Sequence, residues 1–109
     1  MNTVEILKAA RELISDEKRW TQTVYARDEN GNSVNATDPM AVCFCSRGAI
    51  DKITAGNRAW GGAYDVLLDL LVSEDDNCLG VADFNDKHTH AEVLSLFDRA
   101  IARAESEAA

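Results

Sequence analysis

The sequence holds almost no proline: one in 109 residues, beside six glycines. Helices are therefore seldom interrupted, and long ones have room to form. Long apolar runs are missing too. The longest, "VLLDLLV" at 66–72, carries Asp69 inside it and falls far short of the roughly 20 residues that span a membrane. The opening "MNTVEILKAARELI" alternates charged with apolar residues and lacks the basic-then-apolar order of a secretory signal, so none is expected. Cysteine is scarce and odd in number, three with no framework spacing, which suits a reducing compartment and a cytoplasmic location. Bases are outnumbered, eleven against nineteen acids, for a net charge of −8. That balance argues against direct binding to nucleic acid or to an anionic membrane, both of which need concentrated Lys and Arg. It leaves a protein partner or homo-oligomer, mimicry of nucleic-acid charge as an acidic decoy, or plain solubility. The acids are spread over every helix rather than gathered on one face, which weakens the decoy.

What is present is an ordinary globular composition, 46% apolar and 28% charged. The chain is long enough to bury a core without staples, and a single domain over 1–109 is expected. Asn2 followed by Glu5 is a capping-box spacing, and Ile6, Leu7, Ala10, Leu13 and Ile14 share one face behind it. Trp20 anchors a short turn after that helix. "TVYARDENGNSV" then predicts a hairpin about Asn30-Gly31. Asp38-Pro39 reads as N-cap and first position of a second helix carrying Val42, Cys45, Ala49 and Ile53, with Gly56 as its stop. A third helix covers 63–72, and "SEDDN" is a charged loop. Thr89 with Glu92 is a second capping box, ahead of a stripe of Val93, Phe97, Ala100, Ile101 and Ala104. The expected fold is mainly α: a compact bundle of about four helices with one short β-hairpin.

The residues that could carry chemistry are Cys45, Trp60, Asn85, Asp86, His88 and His90. Cys43 and Cys45, two apart on a predicted helix, diverge and cannot share an ion. His88 and His90 could converge in extended chain, but need a third ligand such as Asp86 or Cys78. The loop from Asp75 to Asp86 places Asp75, Asn77, Gly80, Asp83 and Asp86 at calcium-loop positions, with Leu79 at the fifth and an Asp where a Glu belongs. Cys45 lies about two turns into its predicted helix, beyond the reach of the dipole, and reads as a buried thiol rather than a nucleophile with His90 as base. "AGNRAWGGAY" lacks the Lys-Ser/Thr ending of a phosphate loop, so Trp60 lines a partner surface or plugs the core edge. Asn85 and Asp86 read as turn formers that fold back on the backbone before the last helix.

The segments "ARELISDEKRWTQ", "ARDENGNSV", "DPMAVCFCSRGAI" and "FNDKHTHAEVLSLFDRAI" together make the chain resemble an uncharacterised family of small bacterial and phage proteins. The resemblance rests on Trp20, Cys45, Gly48, Ala49, Asn85, Asp86 and Thr89, with Phe44 and Phe84 standing where tryptophans are usual. It implies a helical fold, a bacterial, phage or mobile-element origin, and no particular activity. No catalytic set, cofactor or metal is expected. The leading expectation for function is a non-catalytic interaction domain. The alternative is a small-molecule or metal site, perhaps enzymatic, on the loop from Asn85 to His90.

Overall fold

Local capping sets where the first helix begins. The structure, a computed structural model, describes residues 1–57, 62–74 and 76–108. In α1 (Thr3–Leu13) the expected capping box is complete: Asn2 Oδ1 accepts the Glu5 amide at 2.9 Å and Glu5 Oε1 accepts the Asn2 amide at 3.1 Å. Two of the four amides that a helix start leaves unpaired are thereby satisfied. Its face of Ile6, Leu7 and Ala10, continued by Ile14, is buried. A single 3-10 turn (Glu17–Arg19) capped by Asp16 then delivers Trp20.

The hairpin forms as β1 (Ala26–Arg27) and β2 (Ser33–Val34), paired antiparallel with Ala26 opposite Val34. Asp28 Oδ1 accepts the amides of Asn30 and Asn32, both at 2.9 Å, and Gly31 takes the left-handed conformation that closes the turn. The helix expected from Asp38-Pro39 does not start there. Asp38 Oδ1 accepts the Met40 amide at 2.8 Å in a local turn, and the chain then enters a third strand, β3 (Cys43–Phe44). The amides of Val42 and Cys45 donate to the carbonyls of Arg27 and Tyr25 at 2.8 and 3.1 Å. This pairing seats Phe44 opposite Ala26, both buried, and overrides the local cap signal. The sheet order is β2-β1-β3.

Only after β3 does α2 (Ser46–Ile53) begin, with Cys45 at its N-cap. It approaches β1 so closely that a Cβ on Gly48 would collide with the Tyr25 carbonyl. α3 (Ala63–Ser73) follows, burying Leu67, Leu70 and Leu71. The next segment is a further helix, α4 (Val81–Lys87), rather than a loop. Val81 and Phe84 turn inward one above the other, while Asp83 Oδ2 accepts the Leu79 amide at 2.7 Å and pairs with Lys87 at 3.0 Å. The described residues thus hold five helices and a three-stranded antiparallel sheet, against about four helices and a hairpin expected.

Thr89 opens α5 (His90–Ala108) through the expected capping box: the Thr89 hydroxyl accepts the Glu92 amide at 3.2 Å, and Glu92 Oε1 accepts the Thr89 amide at 2.9 Å. Val93, Leu96, Phe97, Ala100 and Ala104 are buried. α1 packs chiefly on α2 and α5, and α3 lies against α5. Arg11 clamps Asp98 from α1 to α5, and Arg99 clamps Glu74 at the end of α3. No described helix is long and apolar enough to cross a membrane.

Candidate functional site

The inward stripe of α4 carries a polar residue. Asn85 follows Val81 by four positions, so its amide enters the core with 0% exposure. A buried amide must be paired or it costs a few kcal/mol. Asn85 Oδ1 accepts Trp20 Nε1 at 2.7 Å, the Ser46 hydroxyl at 2.8 Å and the Ser46 amide at 3.0 Å. Its Nδ2 donates to the Thr21 carbonyl at 3.0 Å and to Asp86 Oδ1 at 3.3 Å. Donors face the oxygen and acceptors face the nitrogen, so the amide has one workable orientation.

The chain at 20–23 wraps the C-terminal end of α4. Gln22 Nε2 donates to the carbonyls of Asn85, Asp86 and His88 at 3.0, 3.3 and 3.1 Å, filling acceptors that the helix end leaves open. Asp86 Oδ1 accepts the Thr23 amide at 2.8 Å. Thr23 has φ of 80°, a conformation a β-branched residue rarely adopts and one that stores about 1–3 kcal/mol. The Asp86 bond and the β1 pairing just beyond it hold Thr23 there.

Of the residues singled out from sequence, Asn85, Asp86 and Cys45 meet around this hub. Their roles differ from those expected. Asn85 and Asp86 are helical, and their partners lie far along the chain rather than in a local turn. Cys45 is at a helix start, not two turns in, and its Sγ accepts the Gly48 amide at 3.3 Å. Its surroundings nonetheless oppose the thiolate. Burial pushes its thiol up, and the carboxylates of Asp86 and Asp51 add to that, against the opposing amides of Gly48 and Arg47. His90 is engaged elsewhere: its Nε2 lies 2.6 Å from the Ile14 carbonyl and its ring leans on Trp20, centroids 5.4 Å apart.

The two histidines part company. His88 stacks on Phe84 at 3.8 Å, with Nε2 3.5 Å from Asp76 and Nδ1 3.4 Å from Glu92. Opposite ring nitrogens face these two carboxylates, so they cannot share an ion with His88, and no group of three metal-ligating side chains occurs among the described residues. The calcium-loop reading fails on the backbone: Asp83 and Asp86 sit within α4, and Gly80 is its N-cap. Asp75, its first position, and Trp60 lie outside the described residues.

A second constellation had no signal in the sequence. Arg47, in the first turn of α2, lays its guanidinium 4.9 Å from the Tyr25 ring centroid and 5.8 Å from that of Tyr64. Stacking of this kind is worth about 0.5–2 kcal/mol and occupies the faces of the group, leaving its edge. The buried Nε has no hydrogen-bond partner among the described residues, an omission that costs about 1–3 kcal/mol. Arg11, Arg99 and Arg103, by contrast, each pair with a carboxylate. Beside Arg47 runs a groove of about 230 Å³ lined by Arg47, Tyr64 and residues 79–83. Leu79, on its rim, is 95% exposed. Asp51, one turn along α2, has its carboxyl raised by burial, with Arg47 acting in the other direction.

The chain belongs to a family of unknown function (DUF6197), whose model matches residues 1–103. No curated protein and no solved structure matches it. The match spans both constellations. Of the residues that carry the resemblance, Trp20, Asn85 and Asp86 bond within the buried hub, Cys45 caps α2 beside it, Gly48 and Ala49 lie buried in α2, and Thr89 caps α5.

Proposed function

We propose that the chain is a small non-catalytic interaction domain, and that its contact face is Arg47 stacked with Tyr25 and Tyr64, bordered by Leu79. The observation that carries this reading is a half-buried arginine set against two tyrosines, one of which, Tyr64, lines a groove together with it and a nearly fully exposed leucine. Interface anchors are drawn from Tyr and Arg, which combine large contact area with directional donors. Covering Leu79 would add about 1.5–3 kcal/mol of apolar burial. The net charge of −8 keeps the rest of the surface from associating at random. The rival ligand site at 85–90 is disfavoured because the Asn85 amide, Asp86 Oδ1 and His90 Nε2 already serve the fold.

The test is selection of random peptide libraries, displayed both with free carboxyl termini and internally, on the full chain. Enriched peptides should lose binding to Leu79→Asp and Arg47→Lys and keep it on His90→Ala. Because Leu79 is so exposed, Leu79→Asp should melt within about 0.5 kcal/mol of the parent. Enrichment of peptides that bind all three variants equally would reject this face.

A further inference from the structure

We infer that the Arg47 groove binds a carboxylate that sits next to an apolar side chain, as at the free C-terminus of a partner polypeptide. The inference rests on the interaction-face reading above and names what that face would hold.

Three features point to this ligand. The first is donor geometry. With its faces against Tyr25 and Tyr64, the guanidinium of Arg47 has only its planar edge left to meet a ligand in the groove it lines, and the Nε behind that edge is buried with no partner among the described residues. A planar carboxylate accepts two parallel N–H bonds from such an edge, whereas a lone carbonyl accepts one. The second is size. At about 230 Å³ the groove lies below the roughly 300–1,000 Å³ that drug-sized ligands and cofactors occupy, so it suits one residue of a chain. The exposed Leu79 and the half-buried Ala82 on the same groove supply an apolar wall for that residue's side chain. The third is charge. Asp83 lines the groove, Asp51 lies within electrostatic reach of Arg47, and the chain carries a net −8. A dianion doubles its attraction to the one Arg47 charge but also its repulsion from these two carboxylates and from the net −8, so a monoanion is favoured.

The experiment follows the Arg47 Nε–Hε resonance of the full ¹⁵N-labelled chain during titration. The probes are acetyl-glycyl-leucyl-phenylalanine as free acid, the same peptide as C-terminal amide, acetyl-glycyl-aspartyl-phenylalanine amide, and inorganic phosphate. The free acid should shift that resonance saturably, and the amide should bind roughly tenfold or more weaker, since a charge-assisted pair is lost. Saturable binding of the aspartyl peptide would assign the carboxylate to an acidic side chain as well as a chain end, and supports the inference. Arg47→Lys keeps the charge and loses the fork, so the variant, measured well below its melting temperature, should also bind the free acid about tenfold weaker. Equal binding of acid and amide, unchanged binding by Arg47→Lys, or tighter binding of phosphate would overturn it. If library peptides still depend on Leu79 while acid and amide bind alike, the carboxylate is wrong and the face stands. If no peptide depends on Leu79, both fall.

Discussion

Replacing Asn85 by alanine tests whether the buried hub holds the two halves of the chain together. The substitution removes all five side-chain bonds that Asn85 makes. Trp20 and Thr21 are half-buried, so water can reach their freed groups in part. Ser46 is fully buried, and its amide and hydroxyl would both lose their acceptor. Two such orphans cost about 1–3 kcal/mol each, or about 2–6 kcal/mol together. That is a large share of the roughly 5–15 kcal/mol that stabilises a domain. In urea melts followed by far-ultraviolet circular dichroism, the midpoint should fall steeply, and the melting temperature should drop by roughly 10–40 °C. Ser46→Ala removes one donor and leaves Asn85 four bonds, so its loss should be only about 0.5–1.5 kcal/mol. Asn85→Asp adds a pH signature. The new carboxyl keeps the three donors to one oxygen, which favour its charged form, but turns its other oxygen on the Thr21 carbonyl and the Asp86 carboxylate, and these with burial raise its pKa in the folded state. The variant should then be least impaired below the ordinary carboxylate range and lose stability as pH rises through the raised value. A loss under about 1 kcal/mol for Asn85→Ala, or equal losses for Asn85→Ala and Ser46→Ala, would refute the hub.

Three further outcomes follow from the same geometry. Gly48→Ala places a Cβ against the Tyr25 carbonyl oxygen and 2.9 Å from its carbon, both backbone atoms that cannot swing aside, so a thermal melt should show a loss of more than about 2 kcal/mol; a neutral result would mean that α2 does not sit against β1 as described. The Glu92 carboxyl is held below its ordinary value by the Thr89 amide and then the Thr89 hydroxyl, so its stabilisation is present above that ordinary value and lost as pH falls through the lowered one. Thr89→Ala should cost about 1 kcal/mol near neutral pH and shrink that acid-side loss, and an unchanged acid limb in a pH series of melts would count against the capping box. Finally, with its thiol buried and raised, Cys45 should react with a disulfide reagent only as fast as the chain opens, well behind the half-buried Cys43 and Cys78; labelling of Cys45 at a rate matching Cys78 in a mass-resolved time course would contradict its burial.

What the sequence revealed was local. The two capping boxes, Asn2 with Glu5 and Thr89 with Glu92, need only four consecutive residues, and each was legible. The apolar stripes behind them and the turn at Gly31 were legible for the same reason. What it hid is non-local. β3 is two residues long and owes its place to β1, whereas Asp38-Pro39 offered a convincing helix start close at hand. α4 has seven residues, fewer than two full turns that could display a helical period, and its acids imitate a loop. The Asn85 bonds reach residues 65, 64 and 39 positions away, so no spacing rule joins Asn85 to Trp20, Thr21 or Ser46. Arg47 is harder still, because only the tertiary arrangement of β1, α2 and α3 stacks it with Tyr25 and Tyr64.

Cys45 departs from the sequence reading in its place on the helix, and that changes which effects act on its thiol. The thiol was expected to be inert because it lay deep within a helix, out of reach of the dipole. In the structure it caps α2, where the helix start and the Gly48 amide both favour a thiolate. Burial acts against them and is the larger effect, helped by the nearby carboxylates of Asp86 and Asp51. Position in a helix sets the sign of one contribution, but which contribution wins depends on what covers the sulfur. Here the cover comes from the packing of α2 under the sheet and beside α4, and the Asn85 hub fixes that packing.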